Sequence, residues 1–240
     1  MSNENITIHR ASTRGIFKVD WLNSHRTFSF GNYHNPERMN FGALRVINDD
    51  VIKGGNGFDL HPHKNIEIIS IPLEGDLAHE DSMGNITVIR QGDIQLMSAG
   101  TGLTHSEDNK NEDQEVKFLQ IWVRPNVRDT EPKYDQASLD INSYINNFEQ
   151  IVSPNKEDKG VCIQQQAWFH IGKFDKDFET NYRLKLKGNG VYAFVIEGAF
   201  QINNQNLDTR DGMGISNIES LQIQSKSENA RLLLMEVPMI

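Results

Sequence analysis

The sequence predicts an all-β protein assembled from two copies of one β unit. Three observations carry that prediction. Short apolar runs of strand length recur at intervals of roughly ten residues and are punctuated by glycine, the pattern of a sandwich or barrel. The stretch Ile68-Ile-Ser-Ile-Pro-Leu-Glu74-Gly75 returns as Val191-Tyr-Ala-Phe-Val-Ile-Glu197-Gly198, as a duplicated unit would. Finally, two pairs of polar side chains stand two residues apart, in His61-Pro-His63 and His105-Ser-Glu107. That spacing puts both members of a pair on one face of a strand, but on nearly opposite sides of a helix.

Taken in order, residues 6–50 hold the runs Phe28-Ser-Phe30 and Phe41-Gly-Ala-Leu-Arg-Val-Ile47, separated by Tyr33-His-Asn-Pro36. Asn48-Asp49-Asp50 reads as a turn, with Val51-Ile52 restarting a strand before Gly54-Gly55. Ile66 to Ile71 and Ile86 to Ile89 are further strands, and Phe118 to Val123 is another with alternating polarity. Between them lie turns at Glu74-Gly75 and at Asp81-Ser-Met-Gly-Asn85. Pro72 pushes its strand toward a rim or an edge, because proline donates nothing to a ladder. From Arg124-Pro125 to about Asn155 the chain is polar and contains Pro125, Pro132 and Pro154, as a connection between units would. Leu139 to Ile151 within it is read as including a short helix. Asp211-Gly212-Met-Gly-Ile215 then stands where Gly92-Asp-Ile-Gln-Leu-Met97 stood. The second copy lacks a His-x-His pair and has one histidine, His170, so it keeps the walls of the unit without its polar pairs.

The chain is acidic, with 24 Lys plus Arg against 33 Asp plus Glu and a formal charge of −9. That balance argues against coating a phosphate backbone. Cys162 is the single cysteine, which rules out an intrachain disulfide and a zinc ribbon; a lone cysteine of this kind is expected to be a small core residue. No apolar run approaches the ~20 residues of a membrane span, and the N-terminus lacks the apolar core of a signal peptide. A cytoplasmic protein is expected.

Two strands aiming His61, His63, His105 and Glu107 at one point would hold a divalent transition metal, since three imidazoles and a carboxylate suit iron(II), manganese, nickel, copper or zinc. Two strand pairs on one side of an ion leave positions open to water, dioxygen or substrate. Histidines 9, 25, 34, 79 and 170 lie outside these pairs and are read as ordinary core or surface residues.

These residues resemble the cupin superfamily, and within it the pirins. Gly55, His61, His63 and Glu67 follow the first cupin motif, with Gly75 one residue late; Gly102, His105 and Asn109 follow the second, with Gly100 in the proline place. The phrases Thr27-Phe-Ser-Phe-Gly-Asn-Tyr33, Phe41-Gly-Ala-Leu-Arg-Val-Ile-Asn48, His79-Glu-Asp-Ser82 and Met97-Ser-Ala-Gly-Thr-Gly-Leu-Thr-His-Ser-Glu107 are similar to those of pirins. The resemblance implies two tandem cupin barrels (double-stranded β-helices, a bicupin). Residues 1–130 would form the metal-binding barrel, and residues 131–240 a linker and a degenerate barrel without ligands.

The resemblance also implies His61, His63, His105 and Glu107 as the metal ligands, with Glu67 a carboxylate behind them or a structural one. The expected cofactor is one divalent ion, iron(II) first, with nickel, copper, manganese, cobalt or zinc compatible. The implied activity is that of a quercetin 2,3-dioxygenase: a flavonol and dioxygen as substrates, Glu107 as the base, and Phe28, Phe30, Phe41 and Met97 near an apolar mouth or simply in the core. Neither nucleic acid nor membrane is expected as a partner. The alternative implied by other pirins is a metal-holding, redox-sensing or regulatory module with a protein partner that the sequence does not identify.

Overall fold

A computed structural model describes residues 4–140 and 143–240. Its first half contains β1 (Asn5–His9), β2 (Gly15–Lys18), β3 (Leu22–Arg26), β4 (Leu44–Ile52), β5 (Gly57–His63) and β6 (Glu67–Glu74). These are followed by β7 (Leu77–Asp81), β8 (Ile86–Ile89), β9 (Asp93–Ser98), β10 (Leu103–Asn109), β11 (Val116–Val123) and β12 (Lys133–Ser138). The second half contains β13 (Phe148–Ser153), β14 (Val161–Cys162), β15 (Trp168–Phe174), β16 (Glu179–Arg183) and β17 (Asn189–Glu197). It ends with β18 (Ala199–Ile202), β19 (Gln205–Asp208), β20 (Gly212–Ser216), β21 (Ser220–Ser225) and β22 (Ala230–Pro238). No helix among the described residues is long and apolar enough to cross a membrane.

Each half pairs a seven-stranded sheet with a four-stranded one. The first half has the orders β12-β9-β6-β11-β4-β3-β2 and β5-β10-β7-β8; the second has β1-β20-β17-β22-β15-β13-β14 and β16-β21-β18-β19. The two barrels are the two cupin units, so the repeat read from the sequence is a structural one. Gly75 and Gly198 explain why Glu-Gly survives in both copies. Each adopts a left-handed φ, +76° and +77°, and a Cβ would meet Glu115 O at 2.8 Å in the first and Ser227 Oγ at 2.3 Å in the second.

The seven-stranded sheets pack on each other. Ile69, Ile71, Leu119 and Ile121 from one, with Tyr192, Phe194, Leu233 and Met235 from the other, belong to a single buried cluster. Each such side chain contributes about 1.5–3 kcal/mol by leaving water. The two lumens differ. The second is filled by an apolar cluster that includes Phe174, Val191, Phe200, Leu221 and Leu234. The first holds two small apolar clusters, one around Phe118 and one around Ile68 and Met97. Between them runs a polar row across five neighbouring strands: Gln95 opposite Ser70, Ser70 opposite Gln120, Gln120 opposite Asn48, and Asn48 opposite Arg26.

Several expectations change. A division at residue 130 is crossed in both directions: β1 pairs with β20 in the second barrel, and β12 pairs with β9 in the first. Each half is thus closed by a strand from beyond the expected boundary. The polar connection carries β12 and β13 rather than being a bare linker. No helix lies between 139 and 151 among the described residues, and residues 141 and 142 of that segment fall outside them; Phe148 to Ser153 is strand. Asn48-Asp49-Asp50 is not a turn but the middle of β4. Asn48 and Asp50 face the polar lumen, while Asp49 points the other way and pairs with Arg14 at 3.1 Å and Arg210 at 3.5 Å. Pro72 does not move β6 to an edge. It sits beyond the four residues that β6 pairs with β9, and at a bulge against β11, where a missing N–H costs least.

Candidate metal centre

β5 is the edge strand of the small sheet, which is why His61-Pro-His63 can contain a proline at all. In the β5·β10 ladder His61 lies directly opposite His105 and His63 opposite Leu103. The three imidazoles therefore share one face. Their ring centroids are 4.4 Å (His61–His105), 4.8 Å (His61–His63) and 4.9 Å (His63–His105) apart, and one nitrogen from each falls within 4.8 Å of the others. His61 Nδ1 lies 2.7 Å from the Asp59 carbonyl, to which it donates, and this leaves Nε2 free to ligate.

The electrostatics favour the ligating form of His63 and His105. Burial first, then the neighbouring His61, pulls His63 down to about 4. Burial, followed by His61, His63 and His79, lowers His105 further. Neutral imidazole is the form that binds metal. His105 is 1% exposed, and both its ring nitrogens lack a hydrogen-bond partner. Such a group is costly to bury unless something else coordinates it, so the residues fit a divalent metal.

Glu107 lies on the same strand, separated from His105 by a register shift against β5. Its carboxylate is not part of the three-nitrogen cluster. One oxygen accepts from Ser70 Oγ at 3.0 Å and the other from Gln120 Nε2 at 2.5 Å. Burial chiefly, with Asp50 adding, pushes it up to about 7. Glu67 does not stand behind the histidines. Ser70 points into the lumen, and Glu67, three positions earlier, points the other way. Its carboxylate accepts from Ser98 Oγ at 2.7 Å and the Gln164 amide at 3.1 Å, which ties the two halves together.

Sequence reasoning passed over His79 and Asp81. β7 places Asp81 opposite His105 and His79 opposite Glu107. His79 Nε2 donates to Asp81 Oδ2 at 3.1 Å with both side chains fully buried, and the His79 ring lies 5.4 Å from that of His105. The signal was present: His79-x-Asp81 repeats the i,i+2 spacing of His61-x-His63 and His105-x-Glu107.

A cavity of about 380 Å³ opens beside the histidines. Its aromatic wall is formed by Trp21 against Phe58 and Phe30 against Trp122, with ring centroids 5.4 and 5.1 Å apart. Of the four apolar residues considered from the sequence, only Phe30 lines it. Phe28 and Phe41 pack around Tyr192 between the barrels, and Met97 lies in the small cluster with Ile68. Cys162 is half-buried on a separate groove rather than in the core. Burial raises its thiol, the opposite of what a reactive cysteine needs.

Two double-stranded β-helices, one with an apolar lumen and one with a three-histidine divalent metal centre, define a bicupin metalloprotein. The model described as Pirin matches residues 8–123, and the model of the Quercetinase C-terminal cupin domain matches residues 150–237. The chain belongs to the pirin family. It is 36% identical over 233 residues to the quercetin 2,3-dioxygenase of Escherichia coli strain K12, covering 97% of this chain and 99% of that protein. The crystal structure of YhhW from Escherichia coli superposes with a TM-score of 0.93 at 36% identity, over 98% of this chain and 99% of that one. The structure of bacterial pirin YhhW in complex with nickel(II) superposes at 0.92 with 35% identity, over 98% and 100%.

Proposed function

We propose that the protein is a divalent-metal-dependent dioxygenase that opens a flavonol such as quercetin with dioxygen. Three clustered imidazoles, one of them buried with both nitrogens unpartnered, at the side of an aromatic-walled cavity are the observation that carries this reading. The name of the Escherichia coli relative supports it. His61, His63 and His105 would hold the ion, with Glu107 as a fourth ligand. The working metal we propose is iron(II); the similar structure that carries nickel(II) supports a site tolerant of several divalent ions. When bound, the ion supplies a positively charged centre with open positions for substrate oxygens and dioxygen.

The chain supplies the rest. The rings of Trp21, Phe30, Phe58 and Trp122 hold a planar substrate and exclude water from it. Glu107 takes the hydroxyl proton of the flavonol onto a carboxylate oxygen. Its position beside Ser70 and Gln120 fixes that oxygen, and burial raises its basicity toward neutral pH. The Ser70 and Gln120 hydrogen bonds keep the carboxylate partnered as it takes up the proton.

The test is oxygen uptake with quercetin by protein loaded separately with iron(II), nickel(II) and copper(II), alongside metal analysis. We expect stoichiometric metal, turnover by at least one loaded form, and loss of both in His61→Ala. Turnover that survives complete removal of the metal overturns the reading. If every loaded form is inert, the metal-holding regulatory alternative gains instead.

A further inference from the structure

The first barrel buries more hydrogen-bonding capacity than its own side chains satisfy, and the surplus faces the cavity. Arg26, Asn48 and Asp50 are 6%, 2% and 2% exposed, and all three line the hollow that His61 and His63 border. Arg26 Nε, Asn48 Oδ1 and Asp50 Oδ1 have no partner, and neither does Trp122 Nε1 on the same wall. Asn48 lies opposite Arg26 on the neighbouring strand, about 4.8 Å away along the hydrogen-bonding direction. Asp50 follows two residues along β4, on the same face and about 6.7 Å further. Ser24, opposite Asp50, gives it one hydrogen bond, and Arg26 Nη1 is held by the Phe30 carbonyl at 2.9 Å. The side chains are therefore fixed while these remaining buried atoms have no partner in the chain.

The unpartnered atoms are the Asn48 acceptor, the Arg26 and Trp122 donors, and an Asp50 oxygen that accepts when ionised and can donate when protonated, and this mixture selects a ligand chemistry. A carboxylate or phosphate would meet the Asn48 oxygen with no hydrogen to offer. A purely apolar ring would leave all four atoms stranded. A hydroxyl group both donates and accepts, so a single hydroxyl satisfies Asn48 and Arg26 together. Two adjacent hydroxyls reach Asp50 as well, and the aromatic wall calls for a flat ring to carry them.

We infer that Arg26, Asn48 and Asp50 form a specificity subsite that recognises adjacent hydroxyl groups on an aromatic ring of the substrate other than the one that reacts. The inference rests on the dioxygenase reading for its substrate class. It assigns to these residues the pendant dihydroxyphenyl ring of the flavonol. They position substrate and take no part in proton transfer.

The experiment compares three flavonols with none, one and two hydroxyls on the pendant ring, all keeping the reacting hydroxyl and carbonyl. Binding to metal-loaded protein is read from quenching of tryptophan fluorescence, and oxygen uptake is measured in parallel. For wild type we expect the dihydroxy compound to bind about tenfold or more tightly than the compound without pendant hydroxyls. Asn48→Leu and Asp50→Asn should lower that ratio toward one while leaving affinity for the unhydroxylated compound within about twofold. A wild-type ratio near one, or a ratio unchanged in both variants, overturns the subsite. Equal oxygen uptake with all three compounds then leaves the dioxygenase reading standing alone. A hydroxyl-dependent affinity without any oxygen uptake supports the subsite and removes the dioxygenase reading. Failure of all three compounds to bind overturns both.

Discussion

Burial and neighbouring charge act on the lumen's ionisable side chains one residue at a time, and in opposite directions. His63 and His105 are pulled down and held neutral, whereas Asp50 and Glu107 are pushed up to about 7, each mainly by burial. For Glu107 the consequence is catalytic. Glu107→Gln should lower turnover about 10²–10⁴-fold while the three histidines still retain metal, as measured by oxygen uptake and metal analysis of one preparation. For Asp50 the consequence is a pH dependence of stability. Its folded carboxyl keeps a proton from about 3.8, the ordinary value, to about 7, a range in which the unfolded chain has released it. This group therefore stabilises the fold below the lower value, and the contribution is lost as pH rises through about 7. In metal-free protein, Asp50→Asn should gain melting temperature relative to wild type between pH 4 and pH 8. A constant difference across that range would contradict the assignment.

At the scale of elements, the strands that form the site were legible because their chemistry keeps a period of two. His61 and His63 could be placed on a shared face without coordinates, since a strand offers no other arrangement of i and i+2, whereas His105 joins them only through the β5·β10 register. The edge position of β5 was not legible, because which strand lacks a second neighbour depends on pairings far away in sequence. β4 misled for a local reason: Asn48-Asp49-Asp50 is turn chemistry by composition, and only the polar row opposite it keeps these residues extended. The turns themselves give a test. Gly75→Ala places a Cβ against Glu115 O in a left-handed backbone, and should destabilise by more than about 1 kcal/mol in denaturant unfolding. Substitution of Gly84, which also has a positive φ but has nothing within 4 Å of its Cβ, should cost less.

Across the whole molecule the two barrels are one cooperative object. Their seven-stranded sheets share a core, Glu67 bridges them through the Gln164 amide, and β1 closes the second, apolar barrel. Leu233→Ala, in that shared core, should cost about 2–5 kcal/mol and still give a single calorimetric transition that moves both halves together. Deletion of β1 strips Ile6 and Ile8 from the second lumen and should lower the melting temperature while metal stoichiometry at the first lumen is retained. Two separate transitions in wild type would refute the shared-core account.

Strand periodicity, glycine punctuation and the repeated Glu-Gly determined from the sequence alone that the chain is all-β, duplicated, and equipped with three imidazoles in one barrel. Those properties are local, set by alternation along a strand and by the φ a turn demands. The tertiary structure decided that strands exchange across the halves, that Glu67 points away from the three histidines while His79 and Asp81 stand beside them, and that Asn48 and Asp50 face a cavity. Each of these depends on which distant strand lies opposite, and a ladder's register is fixed by the packing of whole sheets rather than by any residue's neighbours in the chain.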